Sequence, residues 1–341
     1  MFAGSSQLCR KGCLREYTAV AVHYDCFTIF IHTCALRTVE ALSRLWTLGA
    51  WRSPWTRAHP LQLQPNYAMP RDVLERVASI TGHPQLGRCP TELLDMIRGY
   101  DPQCLFWRAV STMTLAASCS YLPDPSKPLQ TLPLAEIAGW ERGGPLPRLQ
   151  DAASLDLPTP LGTMLITIDA VGIKTVQRLS ARAPPFSEPN TDSLAFIVAD
   201  VSSLSRVDAC FKGGLLRLHS LLAYWFVQIW DTPSPPSLPS SSCALLRNSG
   251  EPLHLVRTVE LGTVTGLTFF YDTEHLLGIH PHCAKSPSAV SFDEHLSERW
   301  LSERIWVYLP ISREDSVDVL GFRTSTRRQR SHEPVNNVLV S

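Results

Sequence analysis

Three times between residues 69 and 119 a proline stands just ahead of an apolar stripe at helical spacing. This repeated start signal constrains the fold more than any other feature of the chain. Proline has no N–H, so it is tolerated in a first turn, where that group lacks an intrahelical partner anyway. MPRDVLERVASI (69–80) opens with Pro70 and sets Val73, Leu74, Val77 and Ile80 on one face. CPTELLDMIRGY (89–100) places Pro90 at an expected first helical position, followed by Glu92 and then by Leu93, Leu94 and Ile97. YDPQCLFWRAVSTMTLAAS (100–118) offers Asp101 as N-cap and Pro102 just inside, then Leu105, Ala109, Met113 and Ala116 as a stripe. The spacing predicts a compact helical module over 69–122.

The region before it, 1–68, is less defined. Residues 17–36, YTAVAVHYDCFTIFIHTCAL, are apolar enough to raise the question of a membrane span. His23, Asp25 and His32 interrupt the run, and an ionisable group at mid-membrane costs about 3 kcal/mol on insertion scales. A signal peptide would begin its apolar stretch sooner and end in small residues. The segment is therefore expected to be buried in a soluble fold, with no membrane partner. Leu36, Val39, Leu42 and Trp46 continue at helical spacing.

Beyond the helices the texture changes twice. Many of the 27 prolines, together with glycines, crowd into 123–160, which reads as a linker or a set of irregular connections. From 161 to 323 short apolar–polar alternations rich in β-branched residues recur between turn signals: GTMLITIDAVGIKTVQRL, SLAFIVADVSSLSRVDACFKGGLLRL, VRTVELGTVTGLTFFYDTEHLLGIH and RIWVYLPISREDSVDVLGF. Gly213-Gly214 is one such turn. HSLLAYWFVQIW (219–230) is too short for a span and is expected as a buried strand or helix, and SPPSLPSSS (234–242) as a surface loop. The tail 324–341 loses all periodicity and is expected to be disordered. The fold class is α+β: a small helical module followed by an antiparallel β-rich domain, a sandwich or prism-like assembly.

Composition narrows the function. With 31 basic against 31 acidic residues and only 18% charged, no basic field exists to hold a nucleic-acid backbone. Ten scattered cysteines show no disulfide rhythm and read as reduced thiols in a cytoplasmic or nuclear protein.

CPTELLDMIRGY resembles the start of an F-box, roughly Leu-Pro-x-Glu-Leu-Leu followed by an apolar residue at helical spacing. Pro90, Glu92, Leu93, Leu94 and Ile97 carry the likeness, with Leu105, Trp107 and Val110 as later apolar positions. The wider chain, about 70–322, is similar to filamentous-fungal proteins with an F-box-like segment before a large β-rich region. DVLERVASITGHPQLGRCPTELLDMIR, LAFIVADVSSLSRV, GLTFFYDTEHLLGIHPH and RIWVYLPIS carry that likeness. The resemblance implies that Pro90, Glu92, Leu93, Leu94, Ile97, Leu105, Trp107 and Val110 bind a Skp-type adaptor, which joins the chain to a cullin-based ubiquitin ligase. The β-rich region would then hold an unknown protein substrate, with no catalysis and no cofactor. Cys89 stands where the F-box pattern prefers leucine, and the usual cysteine-arginine-tryptophan ending is absent after Val110.

Other readings compete with it. VTGLTFFY, LLGIHPH and IWVYLPISREDSVDVLGFRTS resemble jacalin-type lectin strands, which would place Asp315 and Asp318 near a sugar-binding turn. Cys9, Cys13, Cys26, His32 and Cys34 supply soft ligands for a zinc ion, although their spacing fits no standard module. His280 and His282 alternate beside Cys283 and would share one strand face. The expectation is no metal at either place. There is no Gly-x-Ser-x-Gly elbow and no His-Glu-x-x-His helix, and KGGLLRL lacks the lysine and serine placement of a phosphate loop. VSFDEHLSERWLSER (290–304) reads as an amphipathic helix with a solvated charged face.

Overall fold

A computed structural model describes residues 22–55, 61, 63, 70–101, 104–119, 128–145, 147–149, 162–179, 193–220, 228–235, 255–256, 258–259, 261–271, 276–284, 288–289, 305–312 and 314. Among the described residues the architecture is α+β, five α-helices followed by three largely antiparallel sheets. The chain divides into two units, one of residues 1–235 with 252–256, the other of residues 236–251 with 257–341.

In the first unit, α1 (Tyr24–Thr33) and α2 (Thr38–Trp51) come from the ambiguous N-terminal region. Cys26 and Phe30 of α1 are fully buried. No helix among the described residues is long and apolar enough to cross a membrane. The three proline-signalled helices follow as α3 (Arg71–Ile80), α4 (Thr91–Tyr100) and α5 (Leu105–Cys119).

Their starts differ from the expectation in an instructive way. Pro70 and Pro90 are N-caps, one residue outside their helices, with extended ψ of 126° and 150°. Their carbonyls accept the first helical bonds, from Leu74 N–H at 3.0 Å and Leu94 N–H at 3.1 Å. Proline thus begins each helix through its fixed φ and its carbonyl. Asp101 is the C-cap of α4, and α5 begins only at Leu105.

α5 belongs to two cores. Trp107, Val110 and Met113 pack with Val73, Leu74 and Val77 of α3 and with Leu94. From the next turn onward, Leu115, Ala116 and Cys119 pack with Phe30, Leu45, Leu48 and Trp51 of α1 and α2. Arg44 is buried between these helices, donating to the Cys119 carbonyl at 2.6 Å and to Glu40 at 2.9 Å.

The first unit also contains two sheets. One has the order β1–β7–β8, with strands Gln130–Pro133, Val207–Lys212 and Leu215–Ser220. The other has seven strands: β10 (Leu255–Val256), β9 (Ile229–Trp230), β6 (Ala195–Asp200), β4 (Thr163–Asp169), β5 (Gly172–Leu179), β2 (Ile137–Glu141) and β3 (Arg148–Leu149). All pairs are antiparallel except β9 with β10. Met164, Ile166 and Ile168 alternate inward from β4 and meet Val207, Ala209 and Phe211 of β7 in the largest core, with Trp140 edge-on to Phe211 at 5.7 Å. Gly213 and Gly214 close the β7–β8 hairpin at φ 56° and 72°, as the sequence suggests.

β1, β2 and β3 lie in the proline-rich stretch read as a linker, so its described part contributes strands to both sheets. Pro133 ends β1 where the chain turns into the next sheet, a position that tolerates a missing N–H. HSLLAYWFVQIW supplies the end of β8 and all of β9, and its middle lies outside the described residues.

Helices and sheets of this unit are joined directly. Gly172 (φ +117°) approaches the end of α2 so closely that a Cβ would stand 2.7 Å from the Trp51 carbonyl. Arg52 donates to the Ala170 carbonyl at 2.8 Å, and Arg217 of β8 lies over the Trp51 ring at 4.6 Å. The β4–β5 turn is fixed by Arg142, which grips both carboxylate oxygens of Asp169 at 2.9 and 2.7 Å and the Gly172 carbonyl at 2.8 Å.

The second unit holds the order β12–β11–β13, with strands Leu276–His282, Gly266–Tyr271 and Ile305–Pro310. Val264, Leu267 and Phe269 form its small core. The acidic segment 290–304, Asp315, Asp318 and the tail from 324 lie outside the described residues.

Candidate functional site

α4 is short, and only one of its large apolar side chains is buried. Leu94, 2% exposed, reaches into the α3–α5 core. Leu93 and Ile97 are exposed, and so are Met96 (61%) and Tyr100 (88%). These four stand at i, i+3, i+4 and i+7, which places them on one continuous stripe of the helix. Glu92 in the first turn and Arg98 in the last complement the helix dipole. Asp95 and Arg98 pair at 3.1 Å, an exposed contact of small energetic weight. The approach to α4 is tied to α3 by Arg71, which donates to the Cys89 carbonyl at 2.7 Å.

The eight residues singled out in the sequence fall into two groups. Pro90, Glu92, Leu93, Ile97 and Leu105 are exposed, whereas Leu94, Trp107 and Val110 are core residues. Of the three apolar residues of α4 expected to bind an adaptor, Leu93 and Ile97 face outward and Leu94 is buried. Adjacent helix residues are about 100° apart, so when Leu93 and Ile97 face outward Leu94 turns toward α3 and α5. Trp107 and Val110 take the inner side of α5 for the same reason. Met96 and Tyr100 belong to no motif in the sequence, though their helical spacing from Leu93 is legible there.

Among the described residues, the cysteines and histidines of the N-terminal region form no group that could hold a metal ion. Cys26 and Cys34 are buried, His32 is exposed, and Cys9 and Cys13 lie outside the described residues. Cys119 shares a core with Cys34. Burial pushes its thiol up to about 12, with Cys34 adding and Arg44 opposing. Such a thiol stays protonated and inert.

His280 and His282 do share a strand face, as expected. Their rings meet edge-on at 4.8 Å, Thr268 Oγ1 lies 2.6 Å from His282 Nε2, and Tyr308 packs on His282 at 5.0 Å. Among the described residues no group of three or more histidine, cysteine or acidic side chains is placed to hold a metal ion. A shallow depression on the outer face of the seven-stranded sheet is lined by Leu165, Thr167, Thr175, Gln177 and Phe196, with Lys174 beside them. Its lining holds an ammonium and no carboxylate, so it offers no acid–base pair.

The chain matches no family model, no curated protein and no solved structure.

Proposed function

We infer that this chain is an F-box-like adaptor: α4 docks on a Skp-type adaptor and so joins a cullin-based ubiquitin ligase, and the β-rich region holds a protein substrate. The observation that carries this reading is the exposed apolar stripe of α4, held in place by a single buried leucine. A short helix that leaves most of its apolar surface in water is suited to insertion in a partner's groove. The role is one of binding, without catalysis or cofactor, in the cytoplasm or nucleus. The test is binding of the purified full chain to a purified Skp-type adaptor, with cullin sought in complexes captured from cells. Saturable binding supports the reading, and no binding at high micromolar concentration sinks it.

A second reading, carbohydrate binding, is favoured by one observation. Trp306 and Tyr308 lie two residues apart on the same face of β13, half-exposed, with Trp306 packed on Phe270 and Tyr308 on His282. Aromatic faces of this kind can stack on sugar rings. A glycan array probed with the full chain tests it, and loss of a hit in Trp306→Ala would assign the hit to this face.

A further inference from the structure

We propose that Ser234 is a phosphorylation site for a proline-directed protein kinase, independently of the adaptor reading. Among the described residues three hydroxyls stand directly before a proline: Ser53, Thr232 and Ser234. Proline lacks an N–H and disfavours a helical residue ahead of it, so each of the three precedes backbone that a kinase cleft can take up. Tertiary placement then separates them. Ser53 is 5% exposed, and the chain just after it is tied to β8 by the Leu218 N–H, which donates to the Pro54 carbonyl at 2.8 Å. Thr232 is half-buried, and its Oγ1 accepts the Ser234 N–H at 3.3 Å. Ser234 is exposed and lies outside any helix or strand.

The transfer balances with magnesium-ATP as the second substrate. Ser234 Oγ attacks the γ-phosphorus, the new O–P bond forms, and the bond to the bridging β,γ-oxygen breaks. ADP leaves, and the hydroxyl proton passes to the kinase's carboxylate base. The product carries about two negative charges at neutral pH. Its surroundings accept them: Pro233, the preceding residue, lines the same depression as Lys174, whose lining holds no carboxylate. Asp231, the acid of this segment, is buried. Ser234 also stands two residues before the chain passes from the first unit into the second at Pro236, so the modification marks that crossing.

The experiment incubates the folded full chain with a purified proline-directed kinase and magnesium-ATP, and reads each site by peptide mass spectrometry. Ser234 should gain phosphate at least about tenfold faster than Thr232 or Ser53, because those two react only after local opening. Ser234→Ala should abolish the signal at that position and leave thermal melting unchanged, since the side chain is exposed. Pro235→Ala should slow transfer to Ser234 about tenfold, because the kinase is selected by the residue after the acceptor. A kinase that labels its control peptide but leaves Ser234 unlabelled overturns the proposal. So does equal labelling of Thr232 or Ser53, which would mean that placement does not select the site. An unchanged rate in Pro235→Ala rejects the kinase class. None of these results depends on whether the chain binds a Skp-type adaptor.

Discussion

α4 and α5 are both rich in apolar residues and follow one another in the chain, yet the structure treats them differently. α5 buries Trp107, Ala109, Val110, Met113, Leu115, Ala116 and Cys119, drawing on both the α3–α4 core and the α1–α2 core. α4 buries only Leu94 of its large apolar side chains. Where a helix has neighbours on two sides, its apolar residues are absorbed in packing. Where it has them on one side, even a less apolar helix keeps a stripe in water. That surplus is what makes α4 the candidate for docking.

The most drastic way to break this comparison is to cut the chain. A fragment of residues 65–122 lacks α1 and α2, which exposes Leu115, Ala116 and Cys119 on the distal half of α5. It should show no cooperative thermal transition by circular dichroism, whereas the intact chain should. A cooperative melt of the fragment would mean that α5 does not depend on its second core.

Point substitutions at the buried positions come next. Trp107→Ala should cost about 3–5 kcal/mol and Leu94→Ala about 2–5 kcal/mol, read from urea unfolding of the full chain. A cost near zero at Leu94 would show that nothing anchors α4.

Cys119, at the end of α5, tests burial through pH. Its thiol is raised from an ordinary 9.0 to about 12, so the folded chain keeps a proton that the unfolded chain gives up. The associated stability is fully present below pH 9 and is lost as pH climbs toward about 12, on the order of a few kcal/mol in total. Stability of the wild type should therefore fall more steeply across that window than that of Cys119→Ala. At about pH 8 the thiol should resist alkylation until the protein unfolds, unlike the partly exposed Cys89 and Cys104.

The smallest effects belong to the outer stripe. Leu93→Ala and Ile97→Ala should change stability by no more than about 0.5 kcal/mol. A larger loss at either would place that residue in the core and shrink the docking surface.

Much of the fold is legible in the chain alone. The three helices are set by apolar spacing and proline, the β7–β8 turn by paired glycines, and β4 and β5 by alternation, because each of these signals acts within a few residues. The strands inside 130–149 are hidden, since short strands beside prolines are stabilised by sheet partners distant in sequence, Phe211 for Gln130 and Val176 for Trp140.

By itself the sequence determined the three proline-started helices, the alternating strands β4 and β5 and the apolar character of α4, because periodicity and chain stiffness are local properties. Only the tertiary structure decided that Leu94 lies inside while Leu93 lies outside, that Trp107 and Val110 are buried, and that α5 divides between two cores. It also decided that the Arg142–Asp169 grip and the Gly172–Trp51 approach join elements far apart in the chain. The physical reason is the same throughout. Apolar spacing says which residues share a face, but which face meets protein and which meets water depends on neighbours from elsewhere in the chain.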